Sequence, residues 1–417
     1  MKLLSTTALV AAALTTTASA ADLRMSWWGG DSRHEATQAA LEVCSAKHGH
    51  TVSPEFTGWS GHLEKVTTQI AGGTEADIMQ INWPWLPLFS ADGTGFADLN
   101  TLSDTIDLSN WTQAQLDGST MNSALNGLPL STTGRVMWFN QTTYEKAGLS
   151  VPTTWEELMT AGPVFQEVLG EDYYPFEGNG LDAMLIIINV VTQMTGKDMI
   201  DPATNTVAWT AEELTAGIEH YGAMVENHVI KSWPMAAADG NVALHENPAW
   251  ADGHIAGAYQ WDSTYFKISD PMNDDQVLVP AGVLTLDGSQ TDGVYRKASM
   301  VFSISANSEN QQAAAEILNC LLNEEEGIAE MGTARGLPAS AAASAQLTAA
   351  GMIDATQKAA NDQVLAAGSP GISPFNEHPA VRDAFTSPLE EFAYSMLGAA
   401  DAAEIIIEGV NDALSDI

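Results

Sequence analysis

The sequence predicts an α/β protein of two lobes, each a mostly parallel sheet flanked by helices. Short apolar runs bounded by turn residues alternate with longer runs of helical period, the pattern of βαβ units. The chain has 417 residues, 45% of them hydrophobic, which is enough for packed cores but too long for one ordinary domain.

The elements follow in order. Lys2, the apolar run 8–14 and the small residues Ala18-Ser19-Ala20 read as a secretory signal peptide over 1–20. Its apolar run is too short to span a bilayer, and Ala21 offers no thiol for a lipid, so export to the periplasm without a lipid anchor is expected. Residues 23–28 read as the first strand, and Asp31 suits the cap of a helix over 34–48. A second strand is expected over 51–56, although Pro54 weakens it. A helical pattern over 61–71 is closed by Gly72-Gly73. The buried strand 77–81 comes next, followed directly by Trp83-Pro84-Trp85. Indoles past the carboxyl end of such a strand stand where open α/β sheets bind ligands. The extended run 131–140 is long for a single strand. Residues 184–191 are strongly apolar but short, and with Asn189 inside they read as a buried helix. Helices are expected over 211–228 and 310–323, and strands over 257–261 and 298–305.

Charge narrows the partners. Fifteen Lys and Arg stand against 53 Asp and Glu, a formal charge of −38. Such a surface repels nucleic acid and anionic lipid, and it makes each cation scarce. The nine His are scattered and no Cys/His cluster has metal spacing, so neither a metal nor a cofactor is expected. Gly-x-Ser-x-Gly, His-Glu-x-x-His and P-loop motifs are absent from the sequence. Cys44 and Cys320 fall in helical patterns. Export permits their oxidation; the reading adopted is two separately buried thiols.

Gln69-Ile70-Ala71-Gly72-Gly73-Thr74-Glu75-Ala76-Asp77-Ile78 resembles a motif of the family 1 extracellular solute-binding proteins of ABC importers, the maltose-binding-protein-like class, with Ala76 where that motif has proline. Two further stretches are similar to that family: Tyr144 to Leu149 running into Val151-Pro152-Thr153-Thr154-Trp155, and Trp250-Ala251-Asp252-Gly253-His254. The oligogalacturonide-binding branch is resembled more closely still, through Leu23 to Gly30, Thr57-Gly58-Trp59 and Gly61-His62-Leu63. The resemblance implies a two-lobed periplasmic binding protein fold with a three-segment hinge, crossing near 130–135, 299–301 and 335–338. Lobe one would comprise 21–131 and 300–335, and lobe two 132–299 and 336–417. It also implies a non-enzymatic monomer that binds an oligosaccharide and meets an ABC transporter permease in the inner membrane.

A sugar ring has an apolar face and a polar rim. Burying ~100 Å² of that face on an indole contributes roughly 2.5 kcal/mol, and an unmatched buried polar group costs roughly 1–3 kcal/mol. Trp27, Trp28, Asp31, Arg33, Trp59, His62, Trp83 and Trp85 supply indoles and polar groups from the first lobe. Arg135, Glu177, Asn179, Trp261, Ser263 and Lys297 are candidates across the cleft, with Phe375 as a further aromatic wall. A uronate carboxylate, of pectin or alginate origin, pairs best with arginine, and Arg33, Arg135, Lys297 and Arg335 are the candidate partners. Two alternatives stay open: a binding protein for a neutral oligosaccharide, and a secreted polysaccharide lyase or glycosidase using a carboxylate pair.

Overall fold

The computed structural model describes residues 20–201 and 203–417; the expected leader lies outside the described residues except for Ala20. The two larger sheets use β1 (Asp22–Trp28), β2 (Thr51–Thr57), β3 (Ile78–Asn82), β4 (Leu128–Pro129), β5 (Thr132–Asn140), β6 (Gly257–Trp261), β7 (Leu278–Pro280), β8 (Arg296–Ala298) and β9 (Met300–Ile304). Lobe one holds the order β2-β1-β3-β9-β4. Its β1 runs parallel to β2 and β3, and β9 runs antiparallel between β3 and β4. Pro54 lies in β2, the edge strand, where a missing N–H removes no second ladder.

Lobe two differs from the expected mostly parallel sheet. Its strands β6, β7 and β8 all pair antiparallel with the nine-residue β5; the parallel contacts there are single bridges such as Glu177 to Ala258. The route of the chain explains this. Strand β5 leaves the hinge and β8 returns to it beside the same residues, Thr132–Gly134, so an out-and-back pair must be antiparallel. The helix Leu181–Thr195 is buried along 183–193, as its apolar run predicts, and Asn189 inside it donates to the Gly293 carbonyl at 2.7 Å.

Separate apolar cores lie in the two lobes. One gathers Met25, Ile78, Ile81, Val301 and Leu318; the other gathers Phe139, Ile187, Tyr221, Phe385 and Ile406. The chain crosses from β4 to β5 and returns from β8 to β9 at Ser299. The third passage comes later in the chain than expected. Residues 335–339 fold back on the first crossing, where the Arg335 carbonyl accepts from Ser131 Oγ at 2.9 Å and Ala339 N–H donates to the Leu130 carbonyl at 2.8 Å. The next helix, Ala341–Ala349, buries Ala343 and Leu347 against Ile328 of the helix Glu325–Met331, on lobe one. Only Ala355–Ala366 packs on β5 and β7, so the passage falls at 350–354.

The cysteines are a correction. Cys44 and Cys320 form a disulfide, with Cα atoms 5.7 Å apart. Their helices, Asp31–His48 and Gln311–Asn323, pack side by side, which a separation of 276 residues conceals in the sequence. The helix Glu325–Met331 crosses this bridge so closely that a Cβ on Gly327 would meet Cys44 Sγ at 2.9 Å and the Cys320 carbonyl oxygen at 2.1 Å.

Candidate functional site: the cleft between the lobes

A cleft of about 1290 Å³ lies between the lobes, lined from both. On the lobe-one side the carboxyl ends of three strands supply it. Trp28 ends β1, Trp59 follows β2, and Asn82 ends β3, the placement expected of an open α/β sheet. Gly29 permits the next turn: a Cβ there would meet Arg33 Cδ at 2.6 Å. Arg33 therefore folds back along its own loop. Its Nε donates to the Ala334 carbonyl at 2.9 Å and Nη1 to that of Trp28 at 3.4 Å. On the other side Arg135 and Trp261 are register partners in β5 and β6, and Lys297 comes from β8.

Trp59 is 46% exposed and stacks on Trp85, centroids 5.3 Å apart. Trp28 meets both rings at the same distance. The result is an indole platform whose outer face opens on the cleft and whose base is buried. Across the cleft, Trp261 lies under two cations, with Arg135 Cζ 5.3 Å and Lys297 Nζ 4.7 Å from its ring. Arg135 is ion-paired to Asp182, and Lys297 pairs with Glu377 at 2.7 Å. Asn82 Oδ1 of lobe one accepts from Lys297 Nζ at 3.4 Å, tying the lobes along the cleft floor.

Three more cations on the wall, Arg33, Lys267 and Arg382, have no ion-paired carboxylate among the described residues. Burial lowers the affinity of the Lys267 ammonium for its proton, and the charge of Arg33 lowers it further, with Glu246 opposing. These two cations line the cleft from opposite lobes. Glu177 Oε2 is buried without a partner. Burial first, then the neighbouring Asp182, pushes the Glu177 carboxyl up to about 8, so near neutrality it is largely uncharged.

Of the candidates named from sequence, the cleft gathers Trp28, Asp31, Arg33, Trp59, Arg135, Glu177, Asn179, Trp261, Ser263 and Lys297. Six others are placed away from it. Trp27 points to the opposite face of β1 and its indole donates to His34 Nδ1 at 3.1 Å. His62 bonds Thr57 Oγ1 at 2.7 Å and lies against Trp28 and Trp85; burial lowers it to about 4, leaving it neutral. Trp83 donates to the Gly118 carbonyl at 2.6 Å, and Trp85 backs Trp59. Phe375 packs on the lobe-two core while its neighbours Asn376 and Glu377 reach the cleft. Arg335 turns into lobe one, where Nε donates to Gln80 Oε1 at 2.7 Å, while Ala334 faces the cleft. Sequence reasoning missed Asp182, Lys267, Glu377 and Arg382. The rarity of cations was the available signal: six of the chain's Lys and Arg residues line this cleft.

Two lobes joined by strand crossings around a deep ligand-sized cleft define a cleft-closing binding protein. The chain belongs to the bacterial extracellular solute-binding proteins, whose family model matches residues 30–328. It is similar to a periplasmic oligogalacturonide binding protein from Yersinia enterocolitica, solved with saturated digalacturonic acid: 37% identity, TM-score 0.91, covering 95% of this chain and 99% of that one. A periplasmic solute binding protein from Pectobacterium atrosepticum is 35% identical with TM-score 0.90 over 95% and 99%. A de novo designed cysteine esterase is 36% identical with TM-score 0.80 over 96% and 99%. A curated binding protein of Brucella abortus is 24% identical over 289 residues, and the match spans 66% of either chain. Among the described residues no helix is long and apolar enough to cross a membrane.

Proposed function

We propose that this chain is the periplasmic substrate-binding component of an ABC sugar importer and that it closes on an oligosaccharide bearing uronic acids, pectin-derived or alginate-derived. The observation that carries the charge reading is that Arg33 and Lys267 line the cleft from opposite lobes with no carboxylate ion-paired to either among the described residues. An anion taken up between the lobes would offset both charges and help to draw the lobes together. The Trp28–Trp59 platform and Trp261 would take the apolar faces of the rings. Arg135 and Lys297 are already paired with Asp182 and Glu377, so a ligand carboxylate would reach them by exchange. The digalacturonic acid bound by the similar Yersinia protein supports the same class of ligand. The protein acts as a monomer, meets its permease in the closed form and catalyses nothing.

Calorimetry with digalacturonate and with its neutral methyl ester tests this. The acid should bind far more tightly. Equal affinities would overturn the charge reading and favour a neutral oligosaccharide; new chain ends appearing on incubation would favour a lyase or glycosidase.

A further inference from the structure

Cys44 and His48 stand four residues apart on the helix Asp31–His48 and so share one face. Cys320 and Glu324 repeat that spacing at the end of the helix Gln311–Asn323, where Glu324 N–H donates to the Cys320 carbonyl at 3.3 Å. The two helices pack side by side, and the pairs meet as two rungs. The disulfide is one rung. The other is His48 Nε2 and Glu324 Oε2, 3.2 Å apart. The ligand atoms of His48, Glu324 and Cys320 all lie within 4.8 Å of one another. Neighbours hold both side chains in place. Asn319 donates to Glu324 Oε1 at 2.9 Å, and Glu316 Oε2 stands 3.9 Å from His48 Nδ1. Both cysteines are fully buried, and Gly327 covers Cys44 Sγ from one side. The side chains of His48 and Glu324 keep 22% and 21% exposure, so an ion can enter past them.

We propose that, with the disulfide open, Cys44, Cys320, His48 and Glu324 bind a single Zn²⁺. Two thiolates, an imidazole and a carboxylate suit a tetrahedral zinc ion, whereas Mg²⁺ and Ca²⁺ take oxygen ligands. Zinc bonds of about 2.0–2.3 Å put neighbouring ligand atoms roughly 3.5 Å apart, so small side-chain rotations close the set. Lys47 pairs with Glu324 at 3.0 Å, but it also holds Glu326 at 2.7 Å and is 40% exposed, so it can release Glu324 to the metal. Metal and disulfide use the same sulfurs and exclude each other. A dithiol reductant breaks the S–S bond, gives two electrons and two protons to the sulfurs, and leaves as its own disulfide. Zn²⁺ then displaces the two thiol protons to solvent, with no electron transfer. The site is independent of the ligand reading.

The full mature chain is prepared without oxygen in its dithiol form, and separately with the bridge closed. Titrated with Co²⁺, an optical stand-in for zinc, the dithiol form should develop thiolate-to-cobalt charge-transfer absorption and the strong visible bands of a tetrahedral ion. Zn²⁺ should bleach both, and the closed form should show neither. His48→Ala and Glu324→Ala should each weaken Zn²⁺ binding by at least about 100-fold, the upper end of what groups behind a metal ligand contribute. A dithiol form without the charge-transfer band would overturn the proposal. So would unchanged Zn²⁺ affinity in both variants, which would mean that the thiols bind without His48 and Glu324. Near-ultraviolet dichroism matching the closed form shows that each chain is folded. A dithiol wild type that loses this signal forms no site, and the proposal fails; where an alanine variant loses it, His48→Gln or Glu324→Gln replaces it.

Discussion

The guanidinium of Arg33 commits two donors to carbonyl oxygens of its own lobe and keeps its full charge for the cleft. Arg33→Gln should therefore leave the fold intact and weaken digalacturonate binding by about 10- to 100-fold, the range of a charge-assisted hydrogen bond. Calorimetry should find the methyl ester little affected. Glu177 gives a pH signature. Its carboxyl is raised from the ordinary carboxylate range to about 8, by burial first and Asp182 second. A group raised on folding favours the folded state fully below its unfolded value and loses that contribution as pH rises through about 8. Glu177→Gln imitates the protonated form, so its melting temperature relative to wild type should climb between pH 4.5 and 8; a constant difference would show that Glu177 titrates normally. Candidates such as Asp31, Arg33 and Arg135 were legible because their neighbours in sequence named them. Lys267 and Arg382 were not, since they reach the cleft from short or distant helices with no marker beyond charge.

Among the elements, the disulfide joins the helices Asp31–His48 and Gln311–Asn323. Replacing both cysteines with alanine should cost about 2–5 kcal/mol, read as a lower urea midpoint. The indole platform makes a second prediction. Trp59 and Trp261 face the cleft, whereas Trp83 is held by the Gly118 carbonyl. Ligand-induced fluorescence change should fall in Trp59→Phe and Trp261→Phe and persist in Trp83→Phe. Most strands and helices could be read from apolar runs and turn residues, and the first two crossings from the family resemblance and the order of its motifs. The third passage could not, because Ala341–Ala349 is alanine-rich and shows no apolar stripe to say which lobe it covers. Strand direction in lobe two escaped for a similar reason: a fully buried strand such as β5 has no alternation to orient it.

For the molecule as a whole, the net charge of −38 opposes an anionic ligand at long range, while the cations that would hold it are inside the cleft. Salt screens the long-range part over roughly 8–10 Å. Stopped-flow association with digalacturonate should therefore speed up as salt is added, the reverse of ordinary steering. A rate that falls with salt would mean that the rim of the cleft, and not the whole surface, governs the encounter.

The position of β9 between β3 and β4 sets a timetable for assembly. As the chain emerges from its amino end, β3 must wait with an open edge through more than two hundred residues before its neighbour arrives at Met300–Ile304. Lobe two waits as well, for the helix Ala355–Ala366 that covers β5. Neither half can be finished first and used as a template for the other. Until its last third is free, the chain carries an unpaired strand edge, the kind of surface that chaperones recognise and aggregates exploit.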